Sequence, residues 1–160
     1  MKLWIIAVGK TGGMLQAAVE EYETRARRYW PLEIVEVREE RGGRGVPEER
    51  IREAEAERLL ARVPPETELV ALTRRGDAWS SDRFAAFLQR AAVQAHAGFA
   101  FVIGGAYGLS DDLLRQAHKR MRLSAFTLPH DLARLVLVEQ LYRAGTIARC
   151  QPYHKGRAEA

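Results

Sequence analysis

Short apolar segments alternate with helical segments along the whole chain of 160 residues. The apolar segments occupy residues 3–8, 32–37, 68–72, 99–103 and 124–128, and the helical ones residues 14–29, 47–62, 80–95, 110–119 and 129–147. Strands separated by helices are joined by crossover connections and pair in parallel, with helices covering both faces of the sheet. The pattern therefore predicts one α/β domain over residues 1–160, with a mostly parallel sheet and helices on both faces.

The composition excludes several other classes of protein. Apolar residues make up 47% of the chain, which is too many for a disordered protein. No apolar run approaches the roughly 20 residues that cross a bilayer, and the first apolar segment is too short for a secretory signal. Cys150 is the single cysteine, so a disulfide within the chain is excluded. We expect a cytoplasmic protein with no metal site.

The positive charge of the chain is carried mainly by arginine. The net charge is +4, and 21 of the 25 basic residues are arginines. Several of them cluster, at Arg25/Arg27/Arg28, Arg38/Arg41/Arg44, Arg74/Arg75 and Arg120/Arg122. The planar arginine fork binds phosphate and stacks on bases, which makes nucleic acid a reasonable partner. The alternative is a surface on which the arginines pair with the 21 acidic residues.

A glycine-rich turn follows the fourth apolar segment and indicates a ligand site. Gly104, Gly105 and Gly108 lie within five residues, whereas a packed strand–helix junction needs one or two glycines. The turn lacks the Gly-Lys-Ser/Thr of a nucleoside-triphosphate loop, and its spacing differs from the dinucleotide pattern. Asp111 and Asp112 open the next helix and would repel a phosphate there. A ligand near this helix is therefore neutral or cationic, as an adenosyl-sulfonium is.

The apolar run 123–128 has few side chains that could do chemistry. Its polar groups are the main chain and the hydroxyls of Ser124 and Thr127. Backbone donors and acceptors can recognise an adenine edge while apolar side chains enclose the ring. A plain core strand is the alternative interpretation of this run.

The last helical segment is apolar over most of its circumference, which predicts burial in the fold, in a subunit interface, or partly in both. Arg134 lies in this apolar surface and needs an anionic partner, for which Asp131 and Glu139 are candidates. Glu139 and Arg143 have the spacing of an ordinary ion pair on a helix. His130, near the start of this helix, is consistent with a capping role.

Taken in order, these segments resemble the RlmH family, the SPOUT-class 23S ribosomal RNA pseudouridine N3-methyltransferases. The resemblance spans essentially the whole chain and is most specific in its last third. The matching pieces are Met1-Lys2-Leu3, Ala7-Val8-Gly9-Lys10, Ile103-Gly104-Gly105, Gly108-Leu109-Ser110, Leu123-Ser124-Ala125-Phe126-Thr127-Leu128-Pro129-His130, Arg134, Glu139-Gln140-Leu141-Tyr142-Arg143-Ala144 and Pro152-Tyr153-His154-Lys155.

The resemblance implies a homodimer with a C-terminal trefoil knot that binds S-adenosylmethionine, with the cofactor pocket and dimer interface in about residues 99–155. It implies no membrane and no metal partner. Carried over by position, the cofactor-binding residues are Leu72, Gly104, Leu123, Ser124, Ala125, Phe126, Thr127 and Leu128.

The reaction implied by the resemblance is methylation of N3 of pseudouridine 1915 in 23S rRNA of the assembled ribosome. N3 carries a proton at neutral pH, so a base and good alignment both contribute. We expect His154 to be the base, with His130 as the second candidate. The other residues expected to hold the substrate are Tyr153, Arg134 and Tyr142 as catalytic residues and Arg143 and Lys155 as RNA-binding residues.

Two other functions remain open at the level of the sequence. One is a SPOUT-type methyltransferase that acts on another RNA, such as a transfer RNA. The other is a non-catalytic RNA- or ribosome-binding protein that keeps the fold, for which we expect no affinity for S-adenosylmethionine. The chain has no added RNA-binding domain, which favours a large preformed substrate such as the ribosome.

Overall fold

A five-stranded parallel sheet forms the centre of the molecule in a computed structural model that describes residues 1–154. The strand order is β2-β1-β4-β3-β5. The strands are β1 (Lys2–Val8), β2 (Leu32–Val37), β3 (Glu68–Ala78), β4 (Gly98–Ile103) and β5 (Lys119–Arg122). All six residues of β4 are buried, because this strand lies at the middle of the sheet and is covered on both faces.

Five helices cover the two faces of this sheet. They are α1 (Gln16–Ala26), α2 (Glu48–Leu60), α3 (Ser81–Val93), α4 (Asp111–Gln116) and α5 (His130–Ala148). Helices α1, α3 and α5 contribute to one apolar core and α2 and α4 to the other. The predicted α/β class, with a parallel sheet between two helical layers, is confirmed. The trefoil knot stays a prediction.

Local signals fix several of the helix boundaries. The Ser80 side chain accepts a hydrogen bond from the Arg83 N–H at 3.1 Å and so caps α3. Pro47 immediately precedes α2, where its missing N–H removes no helical bond. The first helix is shorter than expected, since a 3₁₀ turn at Gly13–Leu15 precedes α1. Within residues 1–154, no helix is sufficiently long and apolar to cross a membrane.

The last strand differs from the sequence prediction. The run 124–128 is an irregular loop, and β5 lies just before it at Lys119–Arg122. Strand β5 pairs only with β3 and lies at the edge of the sheet, so it buries Met121 alone and tolerates charged neighbours. The predicted helix 110–119 is correspondingly shorter, because α4 ends at Gln116, Ala117 is extended and Lys119 already belongs to β5.

Strand β3 is longer than predicted and contains an irregularity. Leu72 and Asp77 both pair with Met121, so the chain between them bulges out of the sheet. Arg74 and Arg75 are exposed on this bulge. Gly76 is required where the bulge returns, because a Cβ there would lie 2.6 Å from the Met121 nitrogen.

Candidate functional site

A pocket of about 710 Å³ opens where β3, β4 and β5 end. In parallel sheets, ligands bind at the carboxyl ends of the strands, and cavities of about 300–1,000 Å³ hold small molecules. Its lining is formed by Glu48, Arg52, Leu72, Thr73, Arg74, Arg75, Ile103, Gly104, Gly105, Ala106, Tyr107, Gly108, Leu109, Asp111, Leu114, Arg122, Leu123, Ser124, Phe126, Thr127, Leu128, His130 and Ala133.

The glycine turn forms one wall of this pocket. Gly108 has φ +79°, a conformation that favours glycine, and its N–H donates to the Gly105 carbonyl at 3.0 Å. A Cβ at Gly104 would lie 2.7 Å from the Gly108 carbonyl carbon. A Cβ at Gly105 would lie 2.7 Å from Oε2 of Glu55 on α2. Each of the three glycines is thus required by the backbone or by a close neighbour.

The loop after β5 forms the opposite wall. Ser124 Oγ accepts the Phe126 N–H at 2.9 Å, and Arg74 donates to Thr127 Oγ1 at 2.8 Å across the pocket. Phe126 is 83% exposed, although it is a large apolar side chain. The apolar residues of the run 123–128 therefore belong to a pocket and its rim, and not to a core strand.

Seven of the eight residues expected to bind the cofactor line this single pocket. They are Leu72, Gly104, Leu123, Ser124, Phe126, Thr127 and Leu128. Ala125 lies in the same loop but is not among the lining residues. The donor set is main-chain groups and hydroxyls between apolar side chains, which fits an adenosine moiety. The cofactor-binding roles themselves stay a prediction.

Charged groups surround the mouth of the pocket. Asp111, which begins α4, lies in the lining and pairs with Arg75 at 3.3 Å. On α2, Arg52 Nη1 lies 3.8 Å from Glu48 Oε2. Ser110 caps α4 by accepting the Leu113 N–H. A carboxylate at the start of α4 beside arginines provides complementary sites for a ligand that carries both charges.

Arg134 is buried in an ion-pair cluster and is absent from the pocket lining. Its Nη2 donates to Glu23 Oε1 at 2.7 Å and its Nε to the same atom at 3.1 Å. Its Nη1 lies 3.4 Å from Glu36 Oε1. The expectation that an acidic group accompanies Arg134 is confirmed, but the partners come from α1 and β2. The prediction that Asp131 or Glu139 is the partner was wrong, because the Arg134 side chain points from α5 toward α1.

Tyr142 and Tyr153 belong to an aromatic cluster on α1 and α5. Their ring centroids are 4.5 Å apart, and the Tyr153 hydroxyl contacts both Tyr22 at 3.2 Å and Glu139 at 3.1 Å. Burial, the contact with Tyr22 and the charge of Glu139 raise the pKa of Tyr153 well above its ordinary value. Tyr153 therefore keeps its proton and acts as a hydrogen-bond donor.

Arg143 joins the same cluster. It donates to Glu139 at 2.5 Å, which confirms the expected helix pair, and its guanidinium lies 5.0 Å from the centre of the Tyr153 ring. The hydrogen bond to Glu139 raises the pKa of Arg143 further above its ordinary value. Its RNA-binding role stays a prediction.

The two histidines considered as bases differ in what the structure describes. His130 lines the pocket at the start of α5, and its Nε2 faces Gly9. The chain enters a 3₁₀ turn at Pro152–His154, but the His154 side chain and Lys155 lie outside the described residues. Their expected roles stay predictions.

Sequence reasoning missed the contribution of α2. Glu55 is 3% exposed, accepts the Glu40 N–H at 3.3 Å and lies directly beneath Gly105. Its Oε2 has no hydrogen-bond partner among the described residues. Burial raises the pKa of Glu55, and the N–H groups of Glu40 and Gly105 only partly offset this. A buried acid in a charged helix has no distinct sequence signal, because the exposed glutamates of the same helix have the same sequence surroundings.

In the described part of the chain, no group of three or more potential ligand residues is placed to hold a metal ion.

Solved structures with the same fold include proteins described as probable methylases or methyltransferases. A probable methylase family protein from Haemophilus influenzae Rd KW20 matches 96% of this chain and 70% of its own, with TM-score 0.53 and 13% identity. A probable methyltransferase from Bordetella pertussis Tohama I matches 89% of this chain and 95% of its own, with TM-score 0.53 and 18% identity. At such low identity these likenesses show the fold alone.

The parallel sheet and its glycine-walled pocket define a class of α/β protein that binds a small ligand at its strand ends. A family model described as "Predicted SPOUT methyltransferase" matches residues 1–154. Two relatives are named ribosomal RNA large subunit methyltransferase H. The one from Gemmatimonas aurantiaca is 45% identical to this chain, and the one from Anaeromyxobacter sp. Fw109-5 is 47% identical. Each match covers 97% of this chain and all of the relative. The chain therefore belongs to the SPOUT methyltransferase family, in the group that these relatives form, and is a methyltransferase.

Proposed function

We propose that the protein transfers a methyl group from S-adenosylmethionine to N3 of pseudouridine 1915 in 23S rRNA of the assembled ribosome. The observation that carries this proposal is the full-length identity of 42–47% to relatives named ribosomal RNA large subunit methyltransferase H. We place the reaction in the cytoplasm, where those bacterial relatives would meet ribosomes.

The pocket at the strand ends is the proposed cofactor site. Leu72, Leu123 and Leu128 would enclose the adenine ring, while main-chain groups of the loop 123–128 recognise its polar edge. Asp111 and the arginines at the mouth would hold the ammonium and carboxylate groups of the methionine part. When bound there, the cofactor supplies an electrophilic methyl group.

The protein's own residues must align the uracil ring and remove the N3 proton. His130 lies in the pocket lining, and we keep His154 as the first candidate for the base and His130 as the second. Tyr153 is a donor and not a base, because its pKa is raised. We propose that Tyr142, Tyr153 and Arg134 organise the tail and α5, and that Arg143 and Lys155 contact the RNA. The active form is proposed to be a homodimer.

Methyl transfer from labelled cofactor to whole ribosomes, separated subunits and bulk transfer RNA tests the substrate. We expect label in the large-subunit RNA of whole ribosomes, at N3 of the pseudouridine. Label confined to transfer RNA would overturn the proposal, and cofactor binding without any transfer would favour a binding protein. Substituting His154→Ala should lower turnover at least tenfold with cofactor affinity unchanged; near-normal turnover removes His154 from the mechanism.

A further inference from the structure

A second concavity, which we call the basic groove, lies beside the edge strand of the sheet. Its volume is about 680 Å³, and it is bounded by the end of β3, by α3 and by the α4–β5 connection. Its lining consists of Arg75, Gly76, Asp77, Trp79, Arg83, Phe87, Arg90, Ala117, His118, Lys119 and Arg120. None of these residues except Arg75 lines the cofactor pocket.

The groove has an excess of positive charge. Five of its lining side chains are arginine or lysine, and Asp77 is the single acidic one. Lys119 is neutralised in part by Glu68 at 3.4 Å, and Arg75 by Asp111 in a solvent-exposed pair. Among residues 1–154, no ion pair involves Arg83 or Arg90.

Protection of the sheet edge does not account for this charge. Charged side chains on an edge strand prevent another strand from pairing with it, and Lys119 and Arg120 on β5 serve that purpose. Arg83 and Arg90, however, come from α3 and face the same groove. They are seven residues apart, two turns of one helix face and about 10 Å along its axis. Positively charged side chains from two elements, α3 and β5, therefore line the same concave surface.

The geometry of the groove favours a polyanion that also reaches the cofactor pocket. Arg75, on the bulge of β3, lines both concavities and so lies at their junction. The Arg83 guanidinium lies 4.7 Å from the Trp79 ring centre, which holds its planar donors at the surface. Arginine forks in this arrangement match the phosphate oxygens of a nucleic acid strand.

We propose that the basic groove binds the sugar–phosphate backbone of the RNA whose target base enters the cofactor pocket. This inference rests on the proposed function in one respect, namely that the substrate is RNA. The strand passes over Arg75 from the groove to the pocket, and Arg83 and Arg90 contact phosphates away from the reacting base. The groove thus contributes to affinity for the ribosome and not to the chemistry.

Substitution of both helix arginines tests this proposal. The pair Arg83→Gln/Arg90→Gln removes two charges from the groove, and Arg50→Gln/Arg62→Gln removes the same charge from exposed positions elsewhere. Binding to large ribosomal subunits is measured by fluorescence anisotropy over a series of salt concentrations. We expect at least fivefold weaker binding for the groove pair and a slope of log affinity against log salt smaller by about 1.5, since each phosphate contact contributes about 0.7–0.9.

Charge-preserving variants and a competitor complete the experiment. Arg83→Lys/Arg90→Lys should keep most of the salt slope, and thermal unfolding of every variant establishes that the fold is intact. Equal affinities and slopes for the groove pair and its matched control would overturn the inference. Polyglutamate and single-stranded RNA of equal charge are then compared as competitors of the subunits. If polyglutamate displaces the subunits as effectively as the RNA does, the inference is overturned in favour of an acidic protein partner.

The binding measurement needs no methyl transfer, so the two proposals fail separately. The protein could bind RNA through Arg83 and Arg90 and yet methylate no ribosomal RNA. That result would refute the proposed function and leave the RNA-binding role of the groove supported. Normal methylation with a KM for ribosomes unchanged in the groove pair would refute the groove alone. The expected result is a KM raised at least fivefold, with kcat and cofactor affinity unchanged.

Discussion

Arg134 is a buried cation whose structural role can be separated from a catalytic one. It is 5% exposed and is held by Glu23, itself buried, and by Glu36. Removing one partner of a buried pair leaves the other charge without compensation, at a cost of about 3–5 kcal/mol. We therefore expect Arg134→Met to lower the free energy of unfolding, measured in urea, by about 3 kcal/mol.

The double variant Glu23→Gln/Arg134→Met is the control for this prediction. It removes both charges, and replacing a buried pair is often nearly neutral, so most of the lost stability should return. If methyl transfer returns with it, Arg134 acts through the fold. If stability returns and transfer does not, the guanidinium itself is needed for the reaction. A single variant as stable as the natural protein would contradict the prediction.

Glu55 is a buried acid beneath the glycine turn, and its pKa is raised by burial. A raised pKa in the folded state means that the folded protein binds this proton more readily than the unfolded chain does. The contribution of Glu55 to stability is thus fully present below the unfolded pKa and is lost as the pH rises through the folded one. We expect the stability of Glu55→Gln, relative to the natural protein, to increase between about pH 4.5 and pH 7.

Urea unfolding of both proteins across this range measures the difference directly. The amide keeps an acceptor for the Glu40 N–H but carries no charge to desolvate. Glu57→Gln, which makes the same change at an exposed position of α2, should show no such trend. A difference that stays constant or falls as the pH rises would mean that the ionised carboxylate stabilises the turn.

At the scale of elements, Glu68 connects three segments where β3 begins. It lies 3.3 Å from His96 Nε2, after α3, and 3.4 Å from Lys119 Nζ on β5. Burial alone would raise the pKa of Glu68, but the hydrogen bond from His96 and the charge of Lys119 lower it below its ordinary value. Its stabilisation is therefore present above the unfolded pKa and is lost as the pH falls through the folded pKa.

Glu68→Gln should lower the free energy of unfolding by about 1 kcal/mol at pH 7, the scale of a partly exposed pair. The difference should vanish in acid, below the folded pKa, because the natural carboxylate is then neutral too. Urea unfolding at pH 7 and pH 3 checks both statements, because urea adds no salt that would screen the pair. A loss of stability that is equal at the two pH values would assign the effect to packing and not to charge.

Most elements of the fold follow from the sequence, and the exceptions have a common physical cause. Strands β1 and β4 are mostly buried and apolar, and β2, although it lies at the other edge, alternates apolar and acidic residues, so the positions of all three were predicted to within a residue. Strand β5 is an edge strand with three charged residues of four, and nothing in its sequence distinguishes it from a loop. The apolar run that follows it was assigned as the strand because a loop whose apolar residues lie in and around a pocket has the same sequence pattern as a buried strand.

The candidate site was predictable where chemistry is local to the chain. The glycine turn and the run 123–128 were identified from the sequence, the family resemblance assigned both to one cofactor pocket, and in the structure both line a single pocket. The basic groove was not predicted, because its arginines come from separate segments and converge only once β3, α3 and β5 are assembled. Contacts between distant segments, such as Arg134 with Glu23, leave no periodic pattern in the sequence.

At the scale of the whole molecule, the cofactor pocket and Tyr153, near the end of the described residues, lie against different parts of the chain. The pocket lining extends no further along the described chain than Ala133. Tyr153 in the tail packs instead against Tyr22 of α1 and Tyr142 of α5. If the tail takes part in methyl transfer, as proposed for His154, a second copy of the chain is the natural source of the tail that completes each pocket.

Mixed dimers test this arrangement. Leu128→Arg fills the pocket and His154→Ala disables the tail, so each variant alone should be inactive toward ribosomes. In a dimer of one chain of each kind, a tail acting across the interface completes one intact site of two. Unfolding, mixing and refolding equal amounts of the two variants forms such dimers in half of the molecules, so we expect about a quarter of the natural activity to return.

A tail that acts within its own chain restores no activity, because each site then contains one disabled part. Mixing either variant with the natural protein is the control for exchange of chains, which size-exclusion chromatography with one tagged partner follows independently.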